Sequence, residues 1–580
     1  MTEAVPPRVV MPRPSRREML AAGAGLALLG PVREAAAQPA ARAGRIHALV
    51  VGINAYGGLV QAPRARPTDI PVFSRLNALQ GAVNDARHIA GSLERLRANL
   101  TVLLDAAATK AAIIARWEEM IATAQKGDVV FFSISAHGGQ EPARRPGATP
   151  TGLEETLILG GFDGRTAAGR EERIFNDELG RLVRRVGPTG ARVVYVADTC
   201  HAGGTVRQVD PRIAALAGYR GAIRYDVDAD LSAAAPPDAG AQAPGADIAH
   251  LLFLAGAQAN ELVPEIRIGD RIHGALSHAV GLALSGLAAE QGVVTAGGLS
   301  RFVLRTVRTL SDSAQHPNVR WPNPDARGGV GLNPAEPLFR MDAPESPVPA
   351  NPPAAPVGIA IWVLETGRDE AAALLAKVPG ARLAASADAA ALFYDPAGQR
   401  LLDQSGRTIA EGLSPQRLPV AVARQEALIA LRELAVRSGL DTRIVLPGEA
   451  RQGPPSVASD DVHRAGTRLT VQVRAFQHRH LVVFNLAGDG TVQLLYPIAR
   501  MRDPAELPVG ADYEFRADVK APFGADHVVA IAGARPLSGL VQRLAELDGK
   551  AEPLAALEAA RLSLSGMAYQ LGIQGIFTRA

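Results

Sequence analysis

Cys200 is the only cysteine in this 580-residue chain, and it closes a run that reads as a buried strand. In Ala191–Gly204, ARVVYVADTCHAGG, the apolar stretch Val193–Val196 gives way to Asp198-Thr199-Cys200-His201 and then to small residues. A second stretch, DVVFFSISAHGGQ at Asp128–Gln140, repeats the design and ends in His137-Gly138-Gly139. Two strands would thus carry a thiol and an imidazole to one sheet edge, and the carboxyl edge is where open α/β sheets bind ligands. Thiolate is the reactive form of cysteine, and a nearby His can generate it. A lone buried Cys is otherwise a small hydrophobe; the His strand argues for chemistry. His201 competes as a base by adjacency. Successive side chains of an extended chain point opposite ways, so it is read as structural.

Two further polar groups share these strands. Ser135 lies two residues before His137, and Asp198 two before Cys200. Each therefore faces the same side as its chemical neighbour along an extended strand. A carboxylate in a narrow site attracts a cationic side chain and repels an acidic one. The plainer role for Asp198 is to cap the turn after its strand.

The residues around the pair resemble the caspase and metacaspase families of cysteine peptidases. Thr199-Cys200-His201-Ala202-Gly203 is closer to metacaspases and lacks the Gln-Ala-Cys signature of animal caspases. Other segments resemble the metacaspase domain in order: Leu79–Ala86, Glu154–Leu157, Phe162–Gly164, Ile174–Leu179, Ala257–Glu261 and Gln315–Pro317. The resemblance implies the caspase–haemoglobinase fold, with a central sheet of about six strands. It implies peptide hydrolysis by a Cys200–His137 dyad, with the backbone N–H groups of Gly138 and Cys200 as oxyanion donors. It also implies a pocket of Asp85, Ser135 and Asp198 for the residue before the scissile bond, hence polypeptide substrates with Arg or Lys there. Ala82 stands where relatives can have Cys. Some metacaspases bind calcium, but here Asn176 and Arg207 replace expected acids while Asp163 and Asp177 persist. Calcium wants several oxygen ligands, so no cofactor and little calcium dependence are expected.

Other classes compete. A silent homologue would act as a binding or scaffold protein, and clostripain-like or legumain-like enzymes also carry His-Gly and Cys after strands. A nucleotide-binding α/β protein is weakened because no G-x-G-x-x-G or P-loop follows the first strand.

The elements that must hold these residues can be traced along the chain. Residues 1–43 read as a twin-arginine signal: Ser15-Arg16-Arg17, the apolar run Leu20–Leu29, then Ala35-Ala36-Ala37. That run is too short to span a bilayer, so a periplasmic or secreted protein with no stable membrane span is expected. Residues 44–342 alternate strands and helices, implying a mostly parallel sheet flanked by helices. Strands are read at Ile46–Ile53, Leu100–Leu104 and His250–Ala257 beside the His and Cys strands. Helices are read at Asn77–Leu96, from a Thr109 cap to Ala124, and at Asn176–Val186, Gly274–Ala288 and Leu299–Leu310. Residues 205–247 carry no apolar period, and Arg207, Arg212, Arg220 and Arg224 are candidates for self-cleavage there.

The Pro-rich stretch 343–358 reads as a linker. Residues 359–580 read as a second, β-rich α+β accessory domain of unknown function. Its strands are Ile359–Leu364, Arg468–Phe476, Leu481–Leu486 and Thr491–Tyr496, its helices Gln425–Val436 and Pro553–Leu571. His463, His478 and His480 lack the companions a metal site needs and read as a solvated hairpin. Net charge is only +3, and no Lys/Arg block suggests a nucleic-acid arm.

Overall fold

The computed structural model describes residues 8–10 and 44–579, apart from 62–72, 145–148, 150–151, 200–221, 226–247, 258–262, 270, 312–314, 321–331, 342–357, 365–366, 380, 388, 405, 407, 446–461, 475, 499–505, 511 and 521–523. The chain divides into two compact units, one of residues 44–437 with 488–490, the other holding most of 438–580 and the N-terminal strand Arg8–Val10. The division falls inside the segment read as one accessory domain. The twin-arginine segment, the linker up to Val357, Cys200, Arg207, Arg212 and Arg220 lie outside the described residues.

The first unit is built on a six-stranded sheet. Its strands are β1 (Ile46–Gly52), β2 (Asn99–Leu104), β3 (Val129–Ser135), β7 (Arg192–Asp198), β9 (Leu251–Ala255) and β12 (Asn318–Arg320). Their spatial order is β12-β9-β7-β3-β1-β2, parallel throughout except for the edge strand β12. This is the mostly parallel sheet of about six strands, flanked by helices, that was expected.

The apolar runs are continuous because both faces of the sheet are covered. Alternate residues enter two separate cores. Val130, Phe132 and Ile134 of β3 join Val193, Tyr195 and Ala197 of β7 on one face. Helices α2 (Lys110–Thr123) and α3 (Asn176–Val186) cover it with Ile113, Trp117, Leu179 and Val183. Phe131, Val194 and Val196 face the other way, toward α1 (Ala82–Arg95), α4 (Ala275–Leu282) and α5 (Ala296–Leu310). The Thr109 side chain caps α2 as expected, accepting from the Ala112 N–H at 3.2 Å.

Smaller strands line the carboxyl edge. β4 (His137–Pro142), β5 (Leu153–Ile158), β6 (Arg173–Phe175) and β8 (Ala222–Arg224) form a sheet ordered β8-β4-β5-β6. β10 (Glu265–Ile268) and β11 (Arg271–Gly274) form a hairpin that leads into α4.

Two helix expectations in this unit need correction. Residues 77–81 are not helical. The N–H groups of Gln80 and Gly81 donate to the Glu265 carboxylate at 2.8 Å each, and Asn54 Oδ1 accepts from the Val83 N–H at 3.1 Å. These side chains satisfy orphan donors and fix the helix start at Ala82. The helix read to Ala288 is regular only to Leu282; a wider turn follows at Ala283–Leu287, where Gly286 takes φ +108°.

The rest of the chain is β-rich. A five-stranded sheet runs through Arg382–Leu383, Ala360–Val363, Leu392–Asp395, Arg400–Asp403 and Thr408–Ala410, with its own core around Ile361, Leu401 and Leu418. The second unit holds another, ordered Val462–Arg464, Tyr569–Arg579, Ala525–Gly533, His480–Leu486 and Val492–Tyr496. The helix expected at Pro553–Leu571 ends at Leu564. Gly566 takes φ +63°, a conformation that favours glycine, and the chain turns into a strand. Among the described residues no helix is long and apolar enough to cross a membrane.

Candidate active site

β3 and β7 are neighbours in register, with Ser135 opposite Asp198 and Gly52 of β1 on the other side of Ser135. The two strands predicted to carry the chemistry thus end side by side. His137 lies two residues beyond the end of β3 and opens β4; Cys200 lies two residues beyond the end of β7 and outside the described residues.

His137 is buried and held from three directions. Its Nε2 lies 2.8 Å from the Asn77 carbonyl oxygen. A carbonyl only accepts, so Nε2 carries the proton. Nδ1 is then the basic nitrogen of the neutral ring. The His137 backbone N–H donates to the Tyr56 hydroxyl at 2.9 Å, and that hydroxyl donates to the Ile158 carbonyl at 3.2 Å. The Tyr56 ring also lies against the imidazole, with centroids 4.6 Å apart. Asn77 can serve His137 because it lies outside the helix that its sequence pattern suggested. Neither Asn77 nor Tyr56 could be assigned from sequence, since both act through long-range placement.

Gly138 continues β4 and pairs with Leu157 of β5 and Ala222 of β8. At its neighbour Gly139, a Cβ would meet the Tyr225 ring at 2.6 Å and Thr156 Oγ1 at 2.7 Å. The tight packing behind the His-Gly turn therefore demands glycine. Of the self-cleavage candidates, only Arg224 is described, as the last residue of β8.

The three proposed pocket residues are Asp85, Ser135 and Asp198. Ser135 and Asp198 continue the rows of β3 and β7 that face α4. Asp198 Oδ2 accepts from the Ser277 N–H at 2.9 Å, and Ser135 Oγ lies 2.9 Å from Ser277 Oγ. Asp85, in the first turn of α1, accepts from His273 Nδ1 at 2.9 Å and from the Gly274 N–H at 3.1 Å. Both carboxylates are fully buried. Unpaired burial of a charge is costly, and these donors offset that cost. Ser277 and His273 were missed in the sequence, where nothing local marks them.

An imidazole group stands behind Asp85. His88 stacks on His278 with ring centroids 4.8 Å apart, and His273 lies 5.0 Å from His278. Burial, followed by His88 and His273, pushes His278 down to about 3. Burial and then His273 also lower His88.

The acids weighed for calcium are committed to arginines. Asp163 pairs with Arg165 at 2.7 Å, which together with a backbone bond lowers it to about 2. Asp177 lies 3.1 Å from Arg144 and 3.0 Å from Arg181. Among the described residues, no group of three or more His, Cys, Asp or Glu side chains is gathered to hold a metal.

Comparison with known proteins converges on this region. Residues 47–208 match the family model of the metacaspase, peptidase C14 domain. Metacaspase-1 of Mycosarcoma maydis is 29% identical over 169 residues, covering 28% of this chain and 36% of that protein. Metacaspase-1 of Coccidioides immitis is 28% identical over 170 residues, covering 28% of this chain and 32% of that protein. The chain thus spans about a third of the length of these curated relatives. Among solved structures, a Geobacter sulfurreducens protein aligns with a TM-score of 0.33 at 22% identity, over 51% of this chain and 99% of its own. The Drosophila initiator caspase Dronc aligns with a TM-score of 0.27 at 10% identity, over 51% of this chain and 84% of its own.

Proposed function

We propose that the protein hydrolyses peptide bonds after Arg or Lys with Cys200 as nucleophile and His137 as base, a reading supported by the match of residues 47–208 to the metacaspase, peptidase C14 domain. The carrying observation is the His137 imidazole, fixed through its Nε2 by the Asn77 carbonyl at the end of the strand beside the one leading to Cys200. A donor bond from Nε2 leaves Nδ1 to take the thiol proton.

The Cys200 thiolate attacks the scissile carbonyl carbon, and the backbone N–H groups of Gly138 and Cys200 receive the developing oxyanion. Fixed donors of this kind cost no reorganisation during reaction. His137 returns its proton to the leaving amine, which departs as the acyl-enzyme forms. Water, deprotonated by His137, then attacks the acyl-enzyme and releases Cys200. Acid–base help of this sort is typically worth about 10²–10⁴-fold.

Asp85, Ser135 and Asp198 supply the pocket for the basic side chain. Two anchored carboxylates give this edge a negative charge without loss of their own rotational freedom on binding. The substrates are polypeptides. Export through a twin-arginine signal places the work in the periplasm or beyond. Self-cleavage at Arg207, Arg212, Arg220 or Arg224 would separate the two halves of the domain.

The test is a panel of peptides ending in Arg, Lys, Asp and Asn, offered to the protein and to Cys200→Ala. Cleavage after Arg and Lys, lost in Cys200→Ala, supports the reading. Preferential cleavage after Asp overturns it.

A further inference from the structure

One short segment meets all three pocket residues. His273 Nδ1 and the Gly274 N–H bind Asp85, the Ser277 N–H binds Asp198 Oδ2, and Ser277 Oγ meets Ser135 Oγ. The segment is the end of β11 and the first turn of α4. We infer that Ser277 is a positioning residue for the basic-side-chain pocket, acting through Asp198 and Ser135. This rests on the peptidase reading above.

Two features single out Ser277 within the segment. It meets two pocket residues, each on a different strand. It also sits within the first turn of α4, whose unpaired N–H groups and positive dipole end suit a carboxylate. The main-chain N–H fixes one oxygen of Asp198. The side-chain hydroxyl, fully buried and 2.9 Å from that of Ser135, orients the Ser135 hydroxyl. An Ala at position 277 keeps the first contact and deletes the second. A buried hydroxyl left without its partner turns elsewhere or loses about 1 kcal/mol's worth of hydrogen bonding, equivalent to a five- to tenfold change.

Packing makes the contact stiff. Leu276, Ala279 and Val280 flank Ser277 on α4 and are all buried in the core shared with β3 and β7. Close-packed interiors do not deform smoothly, so the pocket floor and α4 hold one arrangement. Ser277 thus links substrate choice to a helix that carries none of the dyad.

The experiment measures kcat and KM separately for Arg, Lys and uncharged peptides, with Ser277→Ala, Ser277→Thr, Ser135→Ala and the Ser135→Ala/Ser277→Ala pair. The rate of Cys200 alkylation by iodoacetamide is followed in parallel. The expected result is a rise of about five- to tenfold in KM for Arg and Lys peptides in Ser277→Ala. The uncharged peptide and the alkylation rate stay unchanged, Ser277→Thr restores the loss, and the double variant is no worse than either single one. Equal losses on all peptides, additive losses in the pair, or no change would overturn the inference. If Ser277→Ala does not accumulate, Ser277→Cys keeps the volume, weakens the bond and must show the same split. Absence of any cleavage after Arg or Lys by the unchanged protein sinks the peptidase reading itself, whereas normal wild-type cleavage with an unsplit Ser277→Ala sinks only the inference.

Discussion

Asp85 and His273, 188 positions apart in the chain, are joined by a 2.9 Å hydrogen bond between carboxylate and imidazole. The bond ties the first turn of α1 to the strand before α4. It also brings a charged group up against His88 and His278, which stack on each other.

The first prediction concerns acid. His278 is pushed down to about 3, mainly by burial, and His88 is lowered for the same reason. The fold therefore prefers both rings neutral, while an unfolded chain protonates them near 6.5. Their contribution to stability is present above pH 6.5 and is lost as pH falls toward about 3. Asp85 opposes that loss, whereas Arg95 and the other imidazoles add to it. The thermal midpoint of His278→Leu should fall less between pH 7 and pH 4 than that of the unchanged protein. Parallel curves would refute this.

The dyad gives the second. Cys200→Ala and His137→Ala should each abolish peptide hydrolysis, down to the background of a contaminant-free preparation. Retention of most activity in either would remove the mechanism.

Tyr56 supports His137, the proposed base, rather than reacting. Tyr56→Phe deletes the hydroxyl that accepts from the His137 N–H and donates to the Ile158 carbonyl. Leaving a buried N–H unmet costs about 1–3 kcal/mol. Denaturant unfolding should show a loss of that order, with kcat lowered and KM little altered. A change confined to KM would contradict the assignment.

Asp198 can be split into charge and acceptor. Asp198→Asn keeps an oxygen for the Ser277 N–H and removes the negative charge, while Asp198→Ala removes both. For Arg peptides, kcat/KM should fall in both variants by the equivalent of about 1.5–3 kcal/mol. Stability should fall mainly in Asp198→Ala. An Asn variant with full activity on Arg peptides would make Asp198 a structural cap instead.

Calcium should matter little. Asp163 is committed to Arg165, and Asp177 to Arg144 and Arg181. Activity in a chelator should match activity in millimolar calcium; complete loss and restoration would show otherwise.

Local patterns carried much of this fold and non-local contacts carried the rest. The β3 and β7 runs announce strands because most of their residues are apolar and two layers of helix bury them. Their period of two also placed Ser135 and Asp198 on one side. The Thr109 cap was legible because the cap acts three residues away. The start of α1 was not, because Glu265 stops it from far along the chain. The same holds for Ser277: a serine in an apolar helix pattern acquires meaning only from what two strands bring to it. In the second unit, the break before Tyr569–Arg579 turns on one glycine at positive φ, which an apolar Ala/Leu pattern masks.

The Glu265 contact also sets an order of events during synthesis. Glu265 follows Gly81 by 184 positions, and its carboxylate stops α1 short of Asn77. Until β10 has been made and docked, Asn54 alone of the two side chains that cap α1 is present to hold Asn77 clear of the helix. A nascent chain would carry both the thiol and the imidazole long before the imidazole has its seat. The seat of the His137 ring is thus completed by a residue that leaves the ribosome after the segment leading to Cys200.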